Sequence, residues 1–211
     1  MSAPGPSRRA AGPTWVLGAV AVLGIAYVTL TTTRTDAPGS GGVPSGRPLP
    51  AFAAPLASST RRCEGRECDP NVAPRAGQGA RRAACAVRLP DVLNSCALAE
   101  RGPVALAFLA SRSRRCEEQV DVMQRLRARF PRVQFAAVSV RGDRAALRRT
   151  IRERGWTLPV GHDANGAVAS LYGIAVCPTI TFARAGGRVA DTSLAFLDED
   201  ALAGRLRAIG G

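Results

Sequence analysis

Six cysteines, Cys63, Cys68, Cys85, Cys96, Cys116 and Cys177, are the side chains of this sequence best suited to chemistry. One histidine, His162, accompanies them, and their spacings do not make the close pairs of a zinc site, so metal binding is not expected. An even number of cysteines in a domain exported to an oxidising compartment reads instead as disulfides plus redox chemistry. Cys116 is the candidate reactive thiol. It opens a helix-forming stretch just after Arg112, Arg114 and Arg115, and both the helix N-terminus and the cations favour a thiolate, while Glu117 and Glu118 oppose it. The inert alternative is a half-buried Cys116 or one locked in a disulfide. Cys85 and Cys96, eleven positions apart in the segment before the apolar run Pro103–Ala110, are expected to form a structural disulfide closing an N-terminal hairpin. Cys63 and Cys68 are compatible with a small disulfide loop, with pairing elsewhere, or with free thiols. His162, in Val160-Gly-His-Asp163, is read as structural or solvent-facing rather than as a base. Trp156 and Tyr172 are read as packing residues.

The 211 residues suffice for one domain of ordinary size plus extra segments. All 29 basic residues are arginine, and the net charge is +13. Clustered cations can mark a nucleic-acid or anionic surface. Abundant Ala, Gly, Pro and Arg fit codon bias better, and with aromatic residues at only 5% no stacking platform is evident, so no nucleic-acid partner is expected.

No charged residue occurs from Ala10 to Thr33, and a helix over this stretch would span about 36 Å, enough to cross a hydrocarbon core of about 30 Å. Trp15 and Tyr27 lie near its ends as interfacial anchors do, and Arg8 and Arg9 precede it. The expectation is a cytoplasmic tail over residues 1–13, a single-pass signal anchor in the cell membrane over 14–33, and the remainder outside the cytoplasm. A cleaved signal peptide is the competing reading, but no convincing small-x-small site follows the apolar run, whose Thr29–Thr35 stretch is rich in threonine. Residues 34–82, rich in Pro, Gly and Arg, read as a flexible linker too poor in apolar residues to supply a core.

From Cys85 onward strands and helices alternate, as in an α/β domain with a central mixed sheet, placed here over residues 83–211. Pro103–Ala110 is a continuous apolar run and reads as a buried central strand. Cys116–Phe130 puts Val120, Met123, Leu126 and Phe130 on one helix face, with acids early and arginines late. Val133–Val140 reads as a second buried strand, and Asp143 caps a basic amphipathic helix ending near Gly155. Leu158-Pro-Val is extended, and Asn165–Gly173 is a short helix stopped by Gly173. Thr179–Ala183 and Arg188–Ala195 form a hairpin around Gly186-Gly187, and Asp198 opens a closing helix.

On these residues the chain resembles the thioredoxin-like superfamily, in particular its membrane-anchored extracytoplasmic thiol-disulfide oxidoreductases and the related peroxiredoxins. The resemblance covers roughly Cys85 to Gly211. It is carried by the apolar strand ending Phe108-Leu-Ala-Ser111, by Ser113-Arg-Arg-Cys116 opening a helix, by Leu171-Tyr-Gly-Ile-Ala-Val-Cys-Pro-Thr179, and by the strand leading to Gly186-Gly187. It implies a thioredoxin-like fold, protein thiols or disulfides, or a hydroperoxide, as substrates, and no metal, nucleotide or flavin cofactor.

In the oxidoreductases the site is usually C-x-x-C, where one thiolate attacks and the other resolves. Ser113 occupies the first position here, and a hydroxyl cannot form the disulfide. In the peroxiredoxins the reactive cysteine lies three residues after a Thr or Ser in P-x-x-x-T/S-x-x-C. Ser113 and Cys116 match its end, but Leu109 stands at its proline. In that register Cys116 is the peroxidatic thiolate and Ser113 a hydrogen-bond partner for the peroxide. Pro178 occupies the place of the superfamily's cis-proline, which puts Cys177 near Ser113 and Cys116. The resemblance thus implies Cys116, Cys177 and Ser113 as catalytic residues, with Pro178 and Arg115 lining the substrate site. A Cys116–Cys177 redox pair, a permanent bridge, or a free Cys177 acting as a small hydrophobe all remain open, as does a non-catalytic thioredoxin-like module that binds a polypeptide beside Pro178.

Overall fold

A computed structural model of the protein describes residues 14–33, 40–59, 71, 73, 83–110 and 112–210. The tail expected over residues 1–13, the Cys63–Cys68 loop and most of residues 60–82 lie outside the described residues. The chain divides into two units, Met1–Asp36 and Ala37–Gly211. In the first, Thr14–Thr33 form a 20-residue helix, α1. Among the described residues no helix is long and apolar enough to cross a membrane. The anchor reading of this segment therefore rests on the sequence alone.

The second unit begins with two short strands, β1 (Ala53–Pro55) and β2 (Val92–Asn94), paired antiparallel. Helix α2 (Ser95–Arg101) follows, started by Asn94, whose side-chain oxygen accepts from the Cys96 and Ala97 amides. Next come β3 (Val104–Ala110), α3 (Arg114–Leu126), β4 (Gln134–Val140), α4 (Arg144–Glu153), β5 (Val160–Asp163) and α5 (Ala167–Leu171). The chain ends with β6 (Thr179–Arg184), β7 (Arg188–Ser193) and α6 (Glu199–Ala208). The main sheet has the order β5-β4-β3-β6-β7, with β3, β4 and β5 parallel and β6 and β7 antiparallel.

Strand β3 is buried from Val104 to Leu109 because both of its faces are covered, so its apolar residues run without interruption. Ala105, Ala107 and Leu109 face one core with Val120, Met123 and Leu126 of α3 and Leu202 and Leu206 of α6. Val104, Leu106 and Phe108 face the other, with Phe52, Leu98, Val168 and Tyr172. This alternation is the two-residue repeat of a strand. Burying each large aliphatic side chain contributes about 1.5–3 kcal/mol. Helix α3 is shorter than its apolar face: it gives way at Leu126 to a 3₁₀ turn, Arg127–Arg129, and Phe130 still reaches the core. At the β6–β7 turn both Gly186 and Gly187 have left-handed φ, +80° and +78°. A Cβ on Gly187 would stand 3.1 Å from that of Ala99, a tight contact that adds to the strain any other residue would meet at this φ.

The start of the folded unit is a correction to the expected linker. Residues 40–59 belong to the fold: Val43 is 4% exposed and Phe52 fully buried. The Gly46 amide donates to the Val189 carbonyl, and Val189 in turn donates to Arg47, so this segment covers the outer edge of β7. A bare sheet edge presents unpaired amides and carbonyls, and a crossing segment satisfies them. The few apolar residues here have no helical or strand period, and so gave no signal of their own.

Candidate active site

The site forms where β3 ends, α3 begins and β6 is entered. Arg112 turns the chain with φ +65°, and Ser113 takes extended backbone angles as the residue before α3. Its carbonyl accepts from the Cys116 and Glu117 amides, but its hydroxyl makes no cap bond to the helix. The hydroxyl lies instead 2.8 Å from Cys116 Sγ. Cys116 projects from the first turn of α3 into the core beneath it and is 1% exposed.

Cys177 enters from the opposite side. The Cys177–Pro178 peptide is cis, and Pro178 is buried at the head of β6. Thr179 steadies the loop by donating its hydroxyl to the Val176 carbonyl at 2.7 Å, and it pairs with Phe108 of β3. The Cys116 and Cys177 Cα atoms are 5.7 Å apart, within the ordinary disulfide range, and the two sulfurs are joined. Cys177 Sγ also accepts the Ala110 amide at 3.3 Å. Cys177 is partly exposed, and its neighbour Val176 is 48% exposed.

The charges around the helix start separate into two groups. Glu117, expected to oppose a thiolate, is tied to Arg154 at 2.7 Å, and Arg154 also holds Asp121 at 2.6 Å. Trp156 donates its indole N–H to the same Asp121 at 2.6 Å, so this tryptophan joins α3 to the end of α4 as well as packing. Burial works against the Arg154 charge, but Asp121 and Glu117 outweigh it and hold the guanidinium pKa above its ordinary value. Arg115 is exposed, with its guanidinium 5.1 Å from the centre of the Phe196 ring, a cation–π contact. Phe196 lies in the segment after β7, held to α3 by Gln119. The fully buried Gln119 amide donates to the Leu197 carbonyl at 3.0 Å and accepts the Leu197 amide at 2.7 Å. Gln119, Phe196 and the Ala110 amide were not legible as site residues, because each acts on a partner far away in sequence.

The remaining cysteines and the histidine lie elsewhere. Cys85 and Cys96 are joined, with Cα atoms 5.5 Å apart. They do not close a hairpin as expected: Cys85 sits in a 3₁₀ turn, Ala84–Ala86, and Cys96 in the first turn of α2. Asn94 binds the same turn by donating to the Ala84 and Val87 carbonyls. β2 pairs with β1 from before the turn, so the bridge staples a turn to a helix. His162 is buried at 7% exposure on β5, with Nε2 3.1 Å from the Gly142 carbonyl oxygen. Among the described residues no group of three or more His, Cys, Asp or Glu is arranged to hold a metal ion.

The strand order, the helix starting at the end of β3 and the cis-proline at the head of β6 define the thioredoxin-like fold. Solved structures agree. A thioredoxin-family thiol:disulfide interchange protein of Chlorobium tepidum superposes with TM-score 0.58 at 12% identity, covering 80% of this chain and 99% of its own. The peroxidoxin BcpB of Mycobacterium tuberculosis superposes with TM-score 0.56 at 18% identity, covering 79% and 98%. A secreted disulfide oxidoreductase of M. tuberculosis gives 0.51 at 22% identity, over 56% and 88%. At these identities the likeness is one of fold. In sequence, the chain is 34% identical over 108 residues to the thiol-disulfide oxidoreductase ResA of Oceanobacillus iheyensis, covering 50% of this chain. The chain spans about half the length of that relative, 56%. No family model matches the chain.

Proposed function

We propose that this chain is a membrane-tethered, extracytoplasmic thiol-disulfide exchange protein whose redox-active bond joins Cys116 to Cys177. The observation that carries the reading is the junction of those two sulfurs at the start of α3, beside cis-Pro178 and open to solvent on the Cys177 side. Cys177 supplies the second sulfur that Ser113 cannot. Reducing the bond takes two electrons from a substrate dithiol, which leaves as a disulfide, and the reverse reaction reduces a substrate disulfide. The 34% identity to a thiol-disulfide oxidoreductase supports the same reaction class and protein thiols as substrates. The apolar run before Thr33, with Arg8 and Arg9 on its N-terminal side, supports tethering with the folded unit outside the cytoplasm.

Peroxide reduction is the second reading. It is favoured by the Ser113 hydroxyl 2.8 Å from Cys116 Sγ, with the likeness in fold to a peroxidoxin beside it. It ranks second because Cys116 is buried and a peroxide must reach a free thiolate.

The test is peptide mapping of the full chain under non-reducing conditions, before and after a peptide dithiol is added. The expected result is a Cys116–Cys177 link that disappears as the peptide is oxidised in equal amount, while Cys85–Cys96 persists. A Cys116 linked to Cys63 or Cys68, or a bridge untouched by dithiol, overturns the exchange reading and leaves a non-catalytic module.

A further inference from the structure

In a site with C-x-x-C the first cysteine receives the substrate; Ser113 stands there, so another atom must do so. We infer that Cys177 is the sulfur that exchanges with substrate, and that Cys116 is the buried leaving and resolving sulfur, stabilised as a thiolate by the Ser113 hydroxyl. This rests on the exchange function proposed above.

Three observations assign the roles. Access comes first. Cys116 is 1% exposed under the first turn of α3, whereas Cys177 is partly exposed on a loop whose Ala175 and Val176 face solvent. An attacking sulfur must approach in line with the bond that breaks, so the sulfur of the partly exposed residue is the one attacked and that of the buried residue departs. The second observation is leaving-group stability, since the better leaving sulfur is the one whose thiolate is more stable. The Ser113 hydroxyl, free of any helix-cap bond, lies 2.8 Å from Cys116 Sγ, and since a bridged sulfur carries no hydrogen the hydroxyl is the group able to donate. Glu117, the acid nearest in the chain, has its charge taken up by Arg154. The third is that Cys177 Sγ keeps one donor of its own, the Ala110 amide at 3.3 Å. That bond orients the sulfur at the end of β3 and favours its thiolate in the reverse reaction.

The steps balance. A substrate thiolate forms a bond to Cys177 Sγ as the Cys116–Cys177 bond breaks, and the electron pair departs on Cys116 Sγ. The second substrate thiol, its proton lost to water, attacks the substrate sulfur of the mixed disulfide and releases Cys177 as a thiolate. The substrate is oxidised to a disulfide, and the protein takes up two electrons and, from water, two protons.

The experiment is limiting iodoacetamide labelling of the reduced, folded, unsubstituted chain, with peptide masses giving the rate at each cysteine. Cys177 is expected to label at least about tenfold faster than Cys116, which must await local opening. Two variants extend the test. Cys116→Ser is expected to accumulate a mixed disulfide at Cys177 with oxidised glutathione, and Cys177→Ser to accumulate none. Ser113→Ala is expected to slow reduction of the bridge by about three- to tenfold, because losing the hydrogen bond to the thiolate raises the leaving thiol's pKa and exchange rates follow roughly half of that change. It is also expected to move thiolate absorbance at 240 nm to higher pH. Faster labelling at Cys116, or trapping at Cys116 in Cys177→Ser, overturns this assignment and leaves the exchange function standing. A bridge that no dithiol reduces overturns both.

Discussion

Replacing Gln119 by Met tests whether the site is held together from beneath. Gln119 is fully buried in the middle of α3 and makes two hydrogen bonds to the Leu197 backbone, at 3.0 and 2.7 Å. Met matches its length and flexibility but offers neither strong bond. The Leu197 amide and carbonyl, on a residue only 9% exposed, would lose their partners. A buried group left without a partner costs about 1–3 kcal/mol, so two of them cost about 2–6 kcal/mol, and burying an apolar side chain in place of an amide offsets part of this to leave a loss of about 2–4 kcal/mol. For a chain of this size that corresponds to a fall of about 5–15 °C in melting temperature. The measurement is thermal unfolding followed by circular dichroism at 222 nm, without reductant so that both bridges stay closed. Because the same segment carries Phe196 beneath Arg115, dithiothreitol should also reduce the Cys116–Cys177 bridge faster in the variant than in the parent. Gln119→Glu supplies an internal control. As a carboxylate it faces the Leu197 carbonyl with a charge and no donor; when protonated it regains both bonds. That variant should therefore become more stable relative to the parent as pH falls through the carboxylate range. A melting temperature for Gln119→Met within about 2 °C of the parent, with unchanged bridge reduction, would refute the clamp.

Tyr172 is fully buried, donates its hydroxyl to the Pro50 carbonyl at 2.7 Å, and has its pKa pushed well above 10.0 by burial, with Ser95 acting in the other direction. The folded state thus keeps this phenol neutral, while the unfolded chain ionises it near 10. Stability tied to Tyr172 is present below pH 10 and drains away above it, so absorbance at 295 nm should show Tyr172 ionising only together with unfolding, and Tyr172→Phe should be less sensitive to alkali. The Cys85–Cys96 bridge spans 11 residues and should contribute about 3 kcal/mol, read as the loss in a Cys85→Ser, Cys96→Ser double variant by urea unfolding. Asn94 binds the same turn, so adding Asn94→Ala should cost a different amount than in the bridged protein; simple additivity would count against a shared turn.

The α/β order, the buried strand at Val104–Ala110, the helix beginning beside Ser113 and the glycine turn at 186–187 were all legible in the sequence, because each is set by local pattern: an apolar run, a helical period, a cap, or residues that tolerate positive φ. The same holds for the fact that Ser113-Arg-Arg-Cys116 cannot close a disulfide within itself, which follows from the chemistry of a hydroxyl. Tertiary structure decided the rest. Residues 40–59 joined the fold because the outer edge of β7 needs hydrogen-bond partners, a demand invisible in the segment itself. Cys85 and Cys96 were paired by a turn that Asn94 holds against α2, and no hairpin was needed. Above all, which of the two cysteines is the more exposed is a property of packing: Cys116 sits under a helix turn and Cys177 on a loop, and no pattern in one dimension encodes the depth of a residue beneath a surface built from residues 61 positions apart.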